Sequence, residues 1–191
     1  NYYMSAGYLD DQGIVPNSGF QRYSARLKAD YQVKPWLKLG ANVSFTHYDS
    51  REQDTEGGTS NANIFYASNI MGAIYPMYIR DAQGNIMTDN RGFQRYDYGK
   101  KGQDTNGSRN TIPNANPLAS YMLDKMKYSG DVVSGKWFAD VDIWGGIKAK
   151  VNIGVDANNV RNTDMVNPFY GQYSETTGVG GLISVSTQRT F

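Results

Sequence analysis

The chain has 191 residues, 19 Lys and Arg against 18 Asp and Glu, no cysteine and one histidine, His47. The near-balance of charge leaves no basic face broad enough for nucleic acid. The missing thiols exclude a disulfide framework or thiolate metal site, and a histidine-based zinc or catalytic centre has one candidate. With 15 tyrosines, 21 glycines and 13% aromatic residues, the composition favours β-structure over disorder or a helical bundle. No apolar run reaches the roughly 18 residues that a membrane-spanning helix needs.

In chain order, Tyr2, Met4, Ala6 and Tyr8 alternate with the smaller Ser5 and Gly7 and predict a partial strand over 2–9. A loop with the turn residues Asp11, Gly13, Pro16 and Gly19 follows. Over 20–33 the odd positions are Tyr23, Ala25, Leu27, Ala29, Tyr31 and Val33, and the even ones Arg22, Ser24, Arg26, Lys28, Asp30 and Gln32. Side chains alternate across a strand, so one face is apolar and the other charged. Pro35 and Trp36 make a tight turn into a second such strand, 37–47, with Leu37, Leu39, Ala41, Val43 and Phe45 on its apolar side. A long connection, about 48–132, leads to a strand over 133–143, whose Phe138 breaks the alternation from the polar side. Trp144-Gly145-Gly146 turns into 147–157, where Ile147, Ala149, Val151, Ile153, Val155 and Ala157 form the apolar side. A loop of about twenty residues, 158–180, and a weaker strand, 181–191 with Ile183 and Val185 on one face, complete the chain.

Two architectures show this periodicity. A soluble, secreted β-sandwich that binds glycans would hide the apolar face under a second sheet. A transmembrane β-barrel turns it to lipid. The strong runs are about 11 residues, against about 5–6 in soluble sheets. At ~3.4 Å per residue and ~40° of tilt they span about 28 Å, close to the ~25 Å apolar band of an outer-membrane barrel. Connections alternate long and short, as expected of outer loops and periplasmic turns. Tyr23, Tyr31, Trp36, Tyr48 and Trp144 near the strand ends suit an interfacial girdle. The expected class is therefore all-β: antiparallel, up-and-down transmembrane barrel strands with a long, partly helical extracellular loop. Such barrels need about eight strands or more, so six are expected to be a segment of a larger barrel. The start in mid-pattern, without Met, agrees with that expectation.

Tyr2-Tyr3-Met4-Ser5-Ala6-Gly7-Tyr8-Leu9, Asp11-Gln12-Gly13-Ile14-Val15, Asn17-Ser18-Gly19-Phe20 and Arg22 to Leu27 carry a family resemblance, extended by Trp36-Leu37-Lys38-Leu39-Gly40-Ala41-Asn42. This stretch resembles the SusC/RagA family of TonB-dependent outer-membrane transporters of Bacteroidota. The resemblance is weaker at Ile79 to Ile86 and Trp144 to Asp156. It implies a barrel of about 22 strands around an N-terminal plug, lidded by a SusD-like surface lipoprotein. It also implies TonB-powered import of oligosaccharides or peptides across the outer membrane of a Gram-negative bacterium. This chain would supply early barrel strands. Its partners would be the rest of the barrel, the plug through which TonB acts, the lipoprotein and outer-membrane lipid. No energy-coupling motif falls on any residue here, and nothing points to an enzyme or a cofactor.

The long connection is expected to hold structure of its own. Ile64, Ala67, Ile70, Met71 and Ile74 have helical spacing over 61–74, with Ser60 or Asn61 as N-cap. Asn116-Pro117 opens a second short helix carrying Leu118 and Met122. Tyr78 to Ile86 reads as a small hairpin, and 99–116 as a mobile Gly/Asn-rich stretch. Aromatic rings stack on sugars while amides and charges bond hydroxyls, so Tyr75, Tyr78, Arg80, Asp81, Tyr96 and Tyr98 are candidate contacts to substrate or lid. The alternative is that these tyrosines pack the loop on itself. The acidic run Asp49, Glu52, Asp54 and Glu56 lacks EF-hand spacing and reads as solvated loop rather than a calcium site. His47 is expected at the rim of a strand, and Asp140, Asp142, Lys148 and Lys150 as ion pairs on the polar face.

Overall fold

The computed structural model describes residues 1–51, 64–100, 105–113, 116–168 and 180–191. Six strands, β1 (Tyr2–Gln12), β2 (Gly19–Lys34), β3 (Leu37–Arg51), β4 (Lys125–Trp144), β5 (Ile147–Val166) and β6 (Leu182–Thr190), form one antiparallel sheet in chain order. Two short helices, α1 (Ile64–Ile70) and α2 (Pro117–Leu123), lie between β3 and β4. Among the described residues no helix is long and apolar enough to cross a membrane.

The register lines the alternating residues up into rows. Ala6, Ala25, Phe45, Val133 and Ala157 share one, and Met4, Leu27, Val43, Gly135 and Val155 the next. Two more follow towards the short turns: Tyr2, Ala29, Ala41, Trp137 and Ile153, then Tyr31, Leu39, Ala139 and Val151. A one-residue slip in any pair would throw charge into this face, which is why the pattern fixes the register. The face is uncovered. Leu27 and Val151 are each 54% exposed and Ile153 58%. Among the described residues there is no second sheet, so the sandwich alternative has no layer to hide it.

Towards the long loops the same face changes character abruptly. Tyr8, Tyr23, His47, Asp131, Asn159 and Arg189 form one row across all six strands. Tyr8 and Tyr23 pack ring to ring at 4.9 Å, and His47 Nδ1 lies 2.7 Å from Asp131 Oδ1. The aromatic position expected at Tyr48 is corrected: Tyr48 has the opposite parity and packs over Gly130 and Phe20 on the polar face.

Phe138, the exception to the alternation, is explained by its neighbour. It faces the polar side directly over Gly40, where a Cβ would lie 2.0 Å from the ring. Lys38 and Lys150 sit 5.7 and 5.2 Å from the ring centroid. Lys148 reaches Asp142 at 3.3 Å and Lys150 reaches Asp140 at 3.5 Å, so the four charges pair across β4 and β5. At the β4–β5 turn Gly145 and Gly146 both take positive φ, 60° and 87°, which a two-residue hairpin turn requires.

The strands run farther than the alternation. β4 begins at Lys125 and β5 continues to Val166, so the connection after β3 is shorter than 48–132 and that after β5 shorter than 158–180. Beyond the aromatic row both faces are polar, and period two then leaves no hydropathy signal. β6 pairs only with Asn158 to Val166 of β5, so Ile183 and Val185 stand beside Met165 and Thr163, above the apolar rows.

Candidate functional site

The described residues between 64 and 123 build a module at the long-loop end of β3 and β4. α1 stops at Ile70, short of the expected Ile74, which is 86% exposed. Gly72 follows, and Pro76 forces Tyr75 out of the helical region. Its buried residue is Ala67, packed with Ile112, Tyr66 and Met71. The caps proposed at Ser60 and Asn61 lie outside the described residues.

The centre of the module is an eight-residue pattern repeated three times. Ile79, Met87 and Arg95 close a ring of backbone hydrogen bonds: Met87 N–H donates to Ile79 O, Arg95 to Met87 O and Ile79 to Arg95 O, each at 2.9 Å. Bridges Arg80–Ile86, Thr88–Gln94 and Tyr78–Tyr96 flank it. Two residues on from each ring member stands an aspartate that turns the chain. Asp81 Oδ1 accepts from the N–H groups of Gln83 and Asn85, at 2.9 and 2.8 Å. Asp89 Oδ1 accepts from Arg91 and Phe93, both at 2.9 Å. Asp97 Oδ1 accepts from Gly99 N–H at 2.7 Å and the Thr105 hydroxyl at 2.5 Å, and its Oδ2 from Asn106 N–H at 2.7 Å. The Asn85 N–H above all, with the other turn donors, holds the Asp81 carboxyl below its usual range. At Asp89 partial desolvation pushes upward but is outweighed by the Phe93 and Arg91 donors, and the net direction is down.

Asp97 is fully buried and joins the repeat to the segment after it. Asn106 bonds both ways with the Arg80 backbone, at 2.6 and 2.8 Å. Arg109, 4% exposed, donates to Ile112 O and lies 6.0 Å over the Tyr75 ring. Burial pulls its guanidinium down from the ordinary value, against the opposing effects of Asp97 and Tyr75. Within the stretch expected to be mobile, 105–113 is anchored at Thr105, Asn106, Arg109 and Ile112, while 101–104 and 114–115 are outside the described residues.

α2 is attached through its cap. Asn116, 1% exposed, accepts from Ala119 N–H at 3.0 Å and donates to Met77 O at 2.7 Å and Asp97 O at 3.0 Å. One side chain therefore caps the helix and ties it to two arms of the repeat. Ala119, Leu118 and Leu123 pack on Tyr78, Tyr96 and Tyr98. Asn17, at φ 62°, donates to Tyr121 O at 2.9 Å and fastens the β1–β2 loop to α2. Asp124, just before β4, accepts from Asn167 N–H and Nδ2 at 2.8 and 2.7 Å. Burial pushes its carboxyl upward, partly offset by those bonds.

The six expected contact residues divide accordingly. Tyr96 and Tyr98 are buried in the module's core. Asp81 shapes the first turn, and Arg80 donates to Gly84 O at 2.7 Å while remaining exposed. Tyr75 and Tyr78 are half-buried, and Tyr78 packs on Tyr96 at 5.0 Å between ring centroids. Sequence reasoning missed Asp97, Asn106, Arg109 and the Asn116 joint. The signal was the eight-residue spacing of Asp81, Asp89 and Asp97, with Gly84 and Gly92 three residues after the first two. Of the acidic run only Asp49 is described, paired with Lys127 at 3.1 Å and bonded by the Ser129 hydroxyl; Glu52, Asp54 and Glu56 lie outside the described residues. Among the described residues no cluster of His, Asp or Glu could hold a metal ion.

No known family's sequence profile matches the chain. Over 70 residues, 37% of the chain, it is 29% identical to TonB-dependent receptor P39 of Formosa agariphila, and the match covers 7% of that receptor. The fold is similar to the RagAB peptide importer in its closed-closed state, with a TM-score of 0.56 and 23% identity over 86% of this chain and 16% of that one. It is likewise similar to the RagAB peptide transporter, at TM-score 0.57 and 24% identity over 87% and 17%. The chain thus spans a small part of each relative, and at this identity the structural likeness is one of fold. These relatives are a receptor and transporters, not enzymes.

Proposed function

We propose that this chain forms six consecutive wall strands of a TonB-dependent outer-membrane transporter of the SusC/RagA type. The whole protein imports oligosaccharides or peptides and works with a SusD-like lipoprotein and, through its plug, with TonB. The observation that carries the reading is the uncovered apolar face, five rows deep from Ala25–Phe45 to Leu37–Val141–Ala149 and ended by the Tyr8–Tyr23–His47 row. In water such a face is a liability, whereas in lipid it is the required surface. The similarity to a TonB-dependent receptor and to RagAB folds supports the same placement. The lumen then receives the opposite face, with Arg26, Lys28, Lys136 and the Asp–Lys pairs of β4 and β5. In this orientation the short turns are periplasmic and the 64–123 module is extracellular. An epitope placed at Asn110 of the full-length protein should be reached by antibody on intact cells, and one at Pro35 should not. Surface labelling at Pro35 would invert the orientation.

The module stands over the lumen and offers Tyr75, Tyr78 and Arg80 to substrate or lipoprotein, with Asp81, Tyr96 and Tyr98 holding them in place. Tyr and Arg are the residue types that most often dominate such contacts. Arg80→Ala with Tyr78→Ala should slow growth on the cognate nutrient or weaken lipoprotein pull-down, with barrel assembly unchanged. Wild-type values in both assays would leave the module as a structural cover only.

A further inference from the structure

On the face that carries the apolar rows, the cations gather in and above the aromatic row. Arg51, Lys125, Lys127, Arg161 and Arg189 all have this parity, and all are exposed. At the same levels the opposite face holds one cation, Arg22, with Asp11 and Asp164. Acids on the cationic side are already engaged: Asp10 accepts from the Tyr8 hydroxyl, Asp131 faces His47, and Asp49 is bound by Lys127 and Ser129. Arg161 and Arg189 form no ion pair with a described residue.

The positions repeat across strands. Ser129 pairs with Arg161 and Asn159 with Arg189, so Lys127, Arg161 and Arg189 follow one diagonal over β4, β5 and β6. Diagonal neighbours lie about 7–8 Å apart, where like charges repel unless an anion sits among them. Beside this line Arg51, Lys125 and Lys127, with Met122 and Met126, line a cleft of about 400 Å³. Its one carboxylate, Asp124, is held by Asn167.

We propose that this collar, Arg51, Lys125, Lys127, Arg161 and Arg189, binds the phosphate groups of outer-leaflet glycolipid headgroups. The proposal rests on the barrel reading, which turns this face to lipid. Arg161 is four residues beyond Ala157, roughly 10 Å above the apolar rows at ~3.4 Å per residue and ~40° of tilt. A flexible arginine reaches back from there to the headgroup layer. Arg forks and Lys ammonium groups are the donors that phosphate selects, and basic pockets at this depth recognise phosphorylated lipid.

The test uses the full-length protein in mixed micelles, titrated with bis-phosphorylated lipid A and with its dephosphorylated form. Wild-type protein should prefer the phosphorylated lipid, and Lys127→Ser with Arg161→Ser and Arg189→Ser should lose that preference by roughly ten-fold or more. Arg161→Lys with Arg189→Lys keeps the charge and should retain it, as should Arg22→Ser on the opposite face. Equal wild-type binding of the two lipids, or an unaffected triple variant, overturns the collar. A nitroxide at Leu27→Cys, read in the same micelles, separates the two layers of argument. If it is reached by oxygen rather than by aqueous nickel, failure belongs to the collar alone. If nickel reaches it, the lipid-facing assignment itself is wrong.

Discussion

Leu27→Arg should lower the stability of the assembled barrel by about 2–4 kcal/mol, the cost of a cation near the bilayer midplane. Leu27 lies in the row of Met4, Val43, Gly135 and Val155, with apolar rows on both sides. An arginine there has no water within reach except by deforming the bilayer or snorkelling past two rows. Val151→Arg should cost less, towards the lower end of that range, because the register puts Val151 in the row of Ala139, Leu39 and Tyr31, with only the Leu37–Val141–Ala149 row between it and the short turns. Arg26→Ser, one residue away on the polar face, removes a hydrogen bond to Asn42 in an exposed setting and should be mild. Folding titrations into bilayers give the comparison. Equal costs for Leu27→Arg and Arg26→Ser would sink the assignment of the two faces.

The second large effect is expected at Asp97. Asp97→Ala orphans the Gly99 and Asn106 N–H groups, leaves the Thr105 hydroxyl with Gly107 O alone, and takes a counter-charge from beside buried Arg109. Each buried donor left without a partner costs about 1–3 kcal/mol, so the module should open locally. The strands should hold, since their ladders do not pass through it. Protease nicking within 77–112 and faster amide exchange at Met87 and Arg95 would show the opening, while the barrel runs normally on a heat-modifiability gel. Asp89→Ala removes an equivalent carboxylate from a turn outside the buried joint, and its effect should be smaller. Wild-type protection in Asp97→Ala would mean that the backbone ring alone holds the module together.

The pattern of residues was enough for the strands that carry the uncovered apolar face. Period two is a local property, and over 20–33, 37–47, 133–143 and 147–157 it named the apolar face before any pairing was known. Tight turns at Pro35 and Gly145 were legible for the same reason. The outer halves of β4 and β5 were not, because strands with polar residues on both faces show no alternation. Phe138 looked like an error in the pattern until the sheet set it over Gly40, a neighbour 98 residues away in the chain. The tyrosines of the long connection could be listed from the sequence, but their roles could not. Whether Tyr78 or Tyr96 is available depends on which one α2 covers, and α2 is placed by Asn116 reaching Met77 O and Asp97 O. Local chemistry determined which residues form the apolar face. Long-range closure, made by a few buried side chains, decided which residues of the loop are left to meet a substrate or partner.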